Sequence, residues 1–121
     1  MAAKILVIED EKGIALAMRF TLQGAGYSVI MASDGMSGLE KAIFERPALI
    51  LLDLILPRLS GFLVLEGLKQ NEETRRIPVF ITSAKAEEAD VQRAKALGAN
   101  EYLVKPFRTG EMLRLIQSYL K

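Results

Sequence analysis

Ala48-Leu49-Ile50-Leu51-Leu52-Asp53-Leu54-Ile55-Leu56-Pro57 is the stretch on which the reading of this chain turns. Its apolar residues do not alternate with polar ones, as happens when helices cover both faces of a parallel sheet. The run is short, introduced by Pro47 and closed by Pro57, so it reads as a buried strand over Ala48 to Leu52. A single carboxylate, Asp53, stands where the strand ends.

Working outward, brief β-branched or aliphatic runs alternate with longer mixed segments. Ile5 to Ile8 forms a first strand, and Ile14 to Gln23 a first helix with Ile14, Ala17, Met18 and Leu22 at helical spacing. Gly24-Ala25-Gly26 stops that helix, since glycine tolerates a left-handed helix end. Ser28 to Ala32 is a second strand and Gly35 to Glu45 a second helix. Beyond the central strand, Pro57 to Gly61 turns into a third helix, Phe62 to Gln70, in which Gly67 costs roughly 1 kcal/mol relative to Ala. Pro78 to Thr82 is a fourth strand and Glu87 to Leu97 a fourth helix ended by Gly98. Glu101 to Val104 is a fifth strand, and Thr109 to Leu120 a last helix with Thr109 as its expected cap. This pattern predicts an α/β fold, a three-layer sandwich with a five-stranded parallel sheet. Right-handed crossovers leave few topologies, and the flavodoxin-like order 2-1-3-4-5 is among them. Residues 1–121 are expected to make one domain.

Composition narrows the chemistry. Sixteen basic and fifteen acidic residues give a net charge of +1, and no basic run exceeds Arg75-Arg76, so direct nucleic-acid binding is not expected. The chain has no Cys and no His. Thiolate zinc sites, thiol catalysis, phosphohistidine carriage and His-dependent hydrolysis are thereby excluded. Met1-Ala2-Ala3-Lys4 runs straight into a strand, without the pattern of a signal peptide. The longest apolar stretch falls far short of the ~20 residues a spanning helix needs. A cytoplasmic protein away from the membrane is the expectation.

In an open sheet of this kind ligands bind beyond the carboxyl ends of the strands, where the strand order reverses. There the first strand ends in Glu9-Asp10-Glu11, the third in Asp53, the fourth in Thr82-Ser83 and the fifth in Lys105-Pro106. Taken singly, Asp53 reads as a turn residue, the acids as a solvated loop, Lys105 as surface decoration and Thr82 as a strand end. Taken together they change character. Adjacent first and third strands would crowd Glu9, Asp10 and Asp53, whose repulsion destabilises the site unless a cation relieves it. All-oxygen ligands favour Mg²⁺ or Mn²⁺ over zinc. Lys105 would reach in as a point charge beside Asp53, with Thr82 offering a hydroxyl at the same edge. A carboxylate nucleophile, a divalent cation, an ammonium and a hydroxyl make a phosphoryl-transfer site.

Four stretches carry a family resemblance. They are Glu9-Asp10 after Lys4-Ile5-Leu6-Val7-Ile8; Leu51-Leu52-Asp53-Leu54-Ile55-Leu56-Pro57 with Gly61; Val79-Phe80-Ile81-Thr82-Ser83-Ala84; and Gly98-Ala99-Asn100-Glu101-Tyr102-Leu103-Val104-Lys105-Pro106-Phe107. In this order and spacing the chain resembles the receiver domains of bacterial two-component response regulators, of the chemotaxis-regulator type, over essentially its whole length. The resemblance implies that Asp53 accepts a phosphoryl group in a His-to-Asp phosphorelay. Asp10 and Asp53 would ligate Mg²⁺ directly, Glu9 through a water, and the Ile55 carbonyl would complete the protein ligands. Thr82 and Lys105 would bind phosphoryl oxygens, and Tyr102 would be the switch aromatic that turns inward as Thr82 moves. It implies autocatalysed phosphorylation and dephosphorylation with no separate substrate, and a frequent cis peptide at Lys105-Pro106. The implied partners are a sensor histidine kinase or a His-containing phosphotransfer protein, and a downstream protein bound through the fourth helix, fifth strand and fifth helix. Glu9 stands where many members have Asp. Ile55 and Ala84, at positions that in the family govern attack by water, are apolar, so slow dephosphorylation is expected.

Three other readings compete. A flavodoxin-like cofactor binder would meet repulsion between its phosphate and Glu9-Asp10-Glu11 in the first loop. A metal-dependent phosphatase with an Asp nucleophile would commonly place an acid at the position of Ile55. A receiver-like interaction module that takes no phosphate would not require Asp10, Asp53, Thr82 and Lys105 together.

Overall fold

The computed structural model describes residues 2–120. Its strands are β1 (Lys4–Ile8), β2 (Ser28–Ala32), β3 (Leu49–Asp53), β4 (Val79–Ser83) and β5 (Glu101–Val104). Its helices are α1 (Lys12–Gly24), α2 (Gly35–Glu45), α3 (Gly61–Gln70), α4 (Glu88–Ala96) and α5 (Thr109–Tyr119). The strands form one parallel sheet in the order β2-β1-β3-β4-β5, as expected.

Because strand side chains alternate between faces, each central strand feeds two cores. Ile5, Val7, Leu49, Leu51, Phe80 and Leu103 meet Met18 and Leu22 of α1 and Met112 and Ile116 of α5. Leu6, Ile8, Ile50, Leu52, Val79 and Ile81 meet Ala42 of α2, Val64, Leu65 and Leu68 of α3 and Ala94 of α4. Every residue of β3 is buried, which accounts for its unbroken hydrophobicity. β2 lies on an open edge of the sheet, and there Lys41 of α2 donates from Nζ to the Met31 carbonyl at 2.6 Å.

Several boundaries differ from the expectation. β3 includes Asp53 and β4 includes Ser83, because the ladders continue through the register pairs Asp53–Thr82 and Ser83–Val104. β4 starts at Val79 rather than at Pro78, which has no N–H to donate. α1 begins at Lys12, two residues before Ile14, and α4 stops at Ala96. Thr109 does not cap α5: it is the first helical residue, and Arg108 holds the cap position without a side-chain hydrogen bond. The Arg108 carbonyl accepts instead from the amides of Glu111 and Met112. The side chains that do cap are Asp34, accepting from the Ser37 amide, and Ser60, accepting from the Leu63 amide. Gly67 sits within an unbroken α3, where a Cβ would lie 3.3 Å from the Leu39 side chain of α2. Among the described residues no helix is long and apolar enough to cross a membrane.

Candidate phosphoryl-transfer site

The alternation that divides the two cores also aims the polar strand ends. Glu9 continues the odd series Ile5, Val7; Asp53 continues Leu49, Leu51; Thr82 follows Phe80; Lys105 follows Leu103. All four therefore leave the sheet on the face covered by α1 and α5, from the neighbouring strands β1, β3, β4 and β5. Residues far apart in sequence are gathered by parity and strand order alone.

Their geometry is close. Lys105 Nζ donates to Glu9 Oε1 at 2.5 Å and to Asp53 Oδ2 at 3.1 Å. Asp53 Oδ1 accepts from the Ile55 amide at 3.2 Å, and Glu9 Oε2 from the Glu11 amide at 3.2 Å. Glu9 and Asp53 are 3% and 5% exposed, so their charge is sunk in the protein, whereas Asp10 faces solvent. Carboxylate oxygens of Glu9, Asp10 and Asp53 all lie within 4.8 Å of one another. This hard, all-oxygen donor set suits a divalent cation of the Mg²⁺ kind. Thr82, the register partner of Asp53, is buried beside it.

Electrostatics express the same crowding. Burial pushes the Glu9 carboxyl above the ordinary carboxylate range, the Lys105 hydrogen bond opposes this, and the charge of Asp53 adds to it. For Lys105, burial alone would lower the ammonium's pKa, but the hydrogen bonds to Glu9 and Asp53 carry it above its usual value. Lys105 is therefore firmly charged, and one ammonium is shared between two buried acids.

The site opens into a groove of about 790 Å³ between α1 and α5. Its walls near Asp53 are Ile55, which is 56% exposed, and Ala84. Neither side chain has an atom that could orient a water. The Lys105–Pro106 peptide is cis, and the Lys105 amide donates to the Ser83 carbonyl at 2.8 Å.

Tyr102 is the one singled-out residue the site does not gather. It belongs to the even series, packs against the α2/α3/α4 core, and donates from its hydroxyl to the Lys85 carbonyl at 2.8 Å in the loop before α4. Its link to the site runs through that loop, which follows directly on Thr82-Ser83 at the end of β4. Two contributors stand in the quoted motifs without a role assigned from sequence. The buried Ser83 holds Lys105 by its carbonyl and the Lys85 amide by its hydroxyl. Gly61 lies so close to the Asp53 carbonyl that a Cβ would come within 2.3 Å of it. A hydroxyl directly after a buried strand residue, and glycine at a helix start, were the available signals.

Comparison with known proteins agrees with this geometry. A family model described as the response regulator receiver domain matches residues 5–117. The alkaline phosphatase synthesis transcriptional regulatory protein PhoP of Bacillus subtilis is 40% identical over 121 residues, which is 100% of this chain and 50% of that protein. The DNA-binding dual master transcriptional regulator RpaA of Synechocystis is 38% identical over 118 residues, 98% of this chain and 49% of that one. The chain thus spans about half the length of the curated relatives it matches. The chemotaxis protein CheY4 of Vibrio cholerae superposes with a TM-score of 0.92 at 31% identity, covering 98% of this chain and 99% of that one. The receiver domain of the sensor histidine kinase PA1611 of Pseudomonas aeruginosa, solved with magnesium in its active-site cleft, gives 0.92 at 30% identity, covering 99% and 98%.

Proposed function

Given that this chain belongs to the response regulator receiver domain family of two-component signalling, we propose that Asp53 is its phosphoacceptor and that residues 1–121 act as one phospho-switch. Receiver domains take their phosphoryl group from histidine kinases or histidine phosphotransfer proteins. In this chain the incoming group would be a phosphohistidine phosphoryl. A carboxylate oxygen of Asp53 forms the new P–O bond as the donor's P–N bond breaks and the imidazole leaves. Lys105, kept charged by Glu9 and Asp53, neutralises charge on the transferred oxygens, and the Thr82 hydroxyl donates to another.

Asp10 and Asp53 would hold Mg²⁺ directly, with Glu9 acting through a water and the Ile55 carbonyl as a further ligand. Mn²⁺ would suit the same donors. When bound, such an ion supplies neutralisation of the gathered carboxylates and of the phosphoryl oxygens. The observation that carries this reading is the meeting of Glu9, Asp10, Asp53 and Lys105 at one rim of the sheet.

Output would follow from Thr82. Movement of its hydroxyl toward the phosphoryl group draws the loop to α4 with it, and Tyr102, hydrogen-bonded to that loop at Lys85, would turn further inward. The face made by α4, β5 and α5 would then favour a different packing, which a protein partner selects. A cytoplasmic setting fits a phosphorelay of this kind. The test is exposure to a small phosphodonor with Mg²⁺. Wild type is expected to take up one phosphoryl group per chain and Asp53→Asn none; stoichiometric label in Asp53→Asn would refute the assignment.

A further inference from the structure

We infer that Arg93 of α4, laid over the ring of Phe62 in α3, is a clamp that holds α4 in the unphosphorylated arrangement and so opposes phosphoryl capture at Asp53. The inference rests on the phosphoacceptor reading of Asp53 and assigns a regulatory contact outside the site itself.

The Arg93 guanidinium carbon lies 4.1 Å from the Phe62 ring centroid, within the range where a cation is held by the aromatic face. Phe62 is only 8% exposed, and it belongs to the core beneath α2, α3 and α4, so Arg93 forms its lid against solvent. The contact matters because α4 has little else to hold it. Its sequence, Glu88-Ala89-Asp90-Val91-Gln92-Arg93-Ala94-Lys95-Ala96, buries Ala94 alone, a side chain of a single methyl group. An amphipathic helix on a sheet ordinarily presents a stripe of large apolar residues to the core, as α3 does with Phe62, Val64, Leu65 and Leu68. At its entry α4 is fastened by polar contacts: Lys85 Nζ to Asp90 Oδ1 at 3.8 Å, and the Tyr102 hydroxyl on the Lys85 carbonyl.

The two partners of the clamp are tied to different sides of the site. Phe62 follows Gly61, whose amide donates to the Leu54 carbonyl at 2.9 Å and where a Cβ would collide with the Asp53 carbonyl. That end of α3 is fixed to β3. Arg93 rides on a helix whose leading loop follows directly on Thr82-Ser83, the last residues of β4. A phosphoryl group that draws Thr82 toward Asp53 therefore moves the base of α4 while leaving Phe62 in place, and the guanidinium leaves the ring. The clamp favours the unphosphorylated packing and not the other, so by linkage its removal makes the phosphorylated packing easier to reach.

The test uses the full chain with beryllofluoride and Mg²⁺ as the probe for the phosphorylated packing. Variants are Arg93→Ala, Phe62→Leu and both together. Amide hydrogen exchange across residues 88–96 in the absence of beryllofluoride is expected to rise roughly two- to fivefold in Arg93→Ala. The beryllofluoride concentration at half-saturation is expected to fall by a similar factor, and the double variant to go little beyond either single one. Unchanged exchange in Arg93→Ala would overturn the clamp, even if Phe62→Leu were disturbed for packing reasons. Faster exchange with unaltered half-saturation would reduce Arg93 to a structural contact and overturn its regulatory part. Failure of wild type to bind beryllofluoride would instead sink the phosphoacceptor reading, and the coupling with it.

Discussion

Lys105 shows how much one side chain can be asked to do. It stands between two buried carboxylates, donating at 2.5 Å to Glu9 and at 3.1 Å to Asp53. Replacing it with Ala is expected to leave the fold intact, since its backbone bond to Ser83 persists. The rate of Asp53 phosphorylation should fall by roughly 10²–10³, the usual loss when one electrostatic stabiliser is removed. Steady-state labelling with a small phosphodonor reads this directly, and an undiminished rate would dismiss the role. Ile55 and Ala84 make the opposite kind of prediction. Both line the groove beside Asp53 and neither can hold a water for attack. The phosphorylated chain should keep its label for minutes or longer, and Ala84→Glu should shorten that lifetime by supplying an acceptor for a water proton. Loss of label from wild type within seconds would count against it. The types of Asp53, Asp10, Thr82 and Lys105 were readable in the sequence because each interrupts the end of a strand. The direct Glu9–Lys105 bond was not, because it depends on how far two long side chains reach across the ends of β3 and β4.

Among the elements, the segment from β3 to α3 is the tightest. A Cβ on Gly61 would stand 2.3 Å from the Asp53 carbonyl oxygen and 2.4 Å from the Leu54 Cα, both backbone atoms that cannot swing aside. Gly61→Ala is therefore expected to destabilise by roughly 1–3 kcal/mol, as overpacking typically does. Urea unfolding would show it as a lower midpoint at unchanged slope. Phosphorylation should weaken too, since the displaced backbone carries Asp53. The strands were readable from their unbroken apolar runs; handedness left a few strand orders, with 2-1-3-4-5 among them, and the family resemblance favoured that one. The ends of the helices were less so. The expected Thr109 cap failed because Arg108 supplies the carbonyl for the first turn, a matter of backbone path that residue type alone does not specify.

Taken as a whole, the molecule carries unbalanced charge at one rim, and a divalent cation should stabilise it globally. At a Mg²⁺ concentration ten times its Kd the gain is about 1.4 kcal/mol. For a domain of this size that is roughly a 5 °C rise in melting temperature, and Asp53→Asn should show much less. The gain should also depend on pH. The folded Glu9 carboxyl has a raised pKa, so its protonated form favours folding below pH 4.5, and that contribution is lost as pH rises through the raised value. Mg²⁺ needs the ionised form, so its effect on melting should be small in acid and full near neutrality. An equal rise at pH 4.5 and pH 7.5 would contradict this assignment.

The sheet ends at β2 in a strand with one neighbour, and the bond from Lys41 to Met31 falls on its open side. An unguarded flank of this kind is a template on which another chain can lengthen the ladder, the first step toward fibrous stacking. With a cation seated on one of its acceptors, a foreign strand would have to strip away that ammonium before it could pair. The β2 border is thus guarded against pairing with a foreign strand at the Met31 carbonyl.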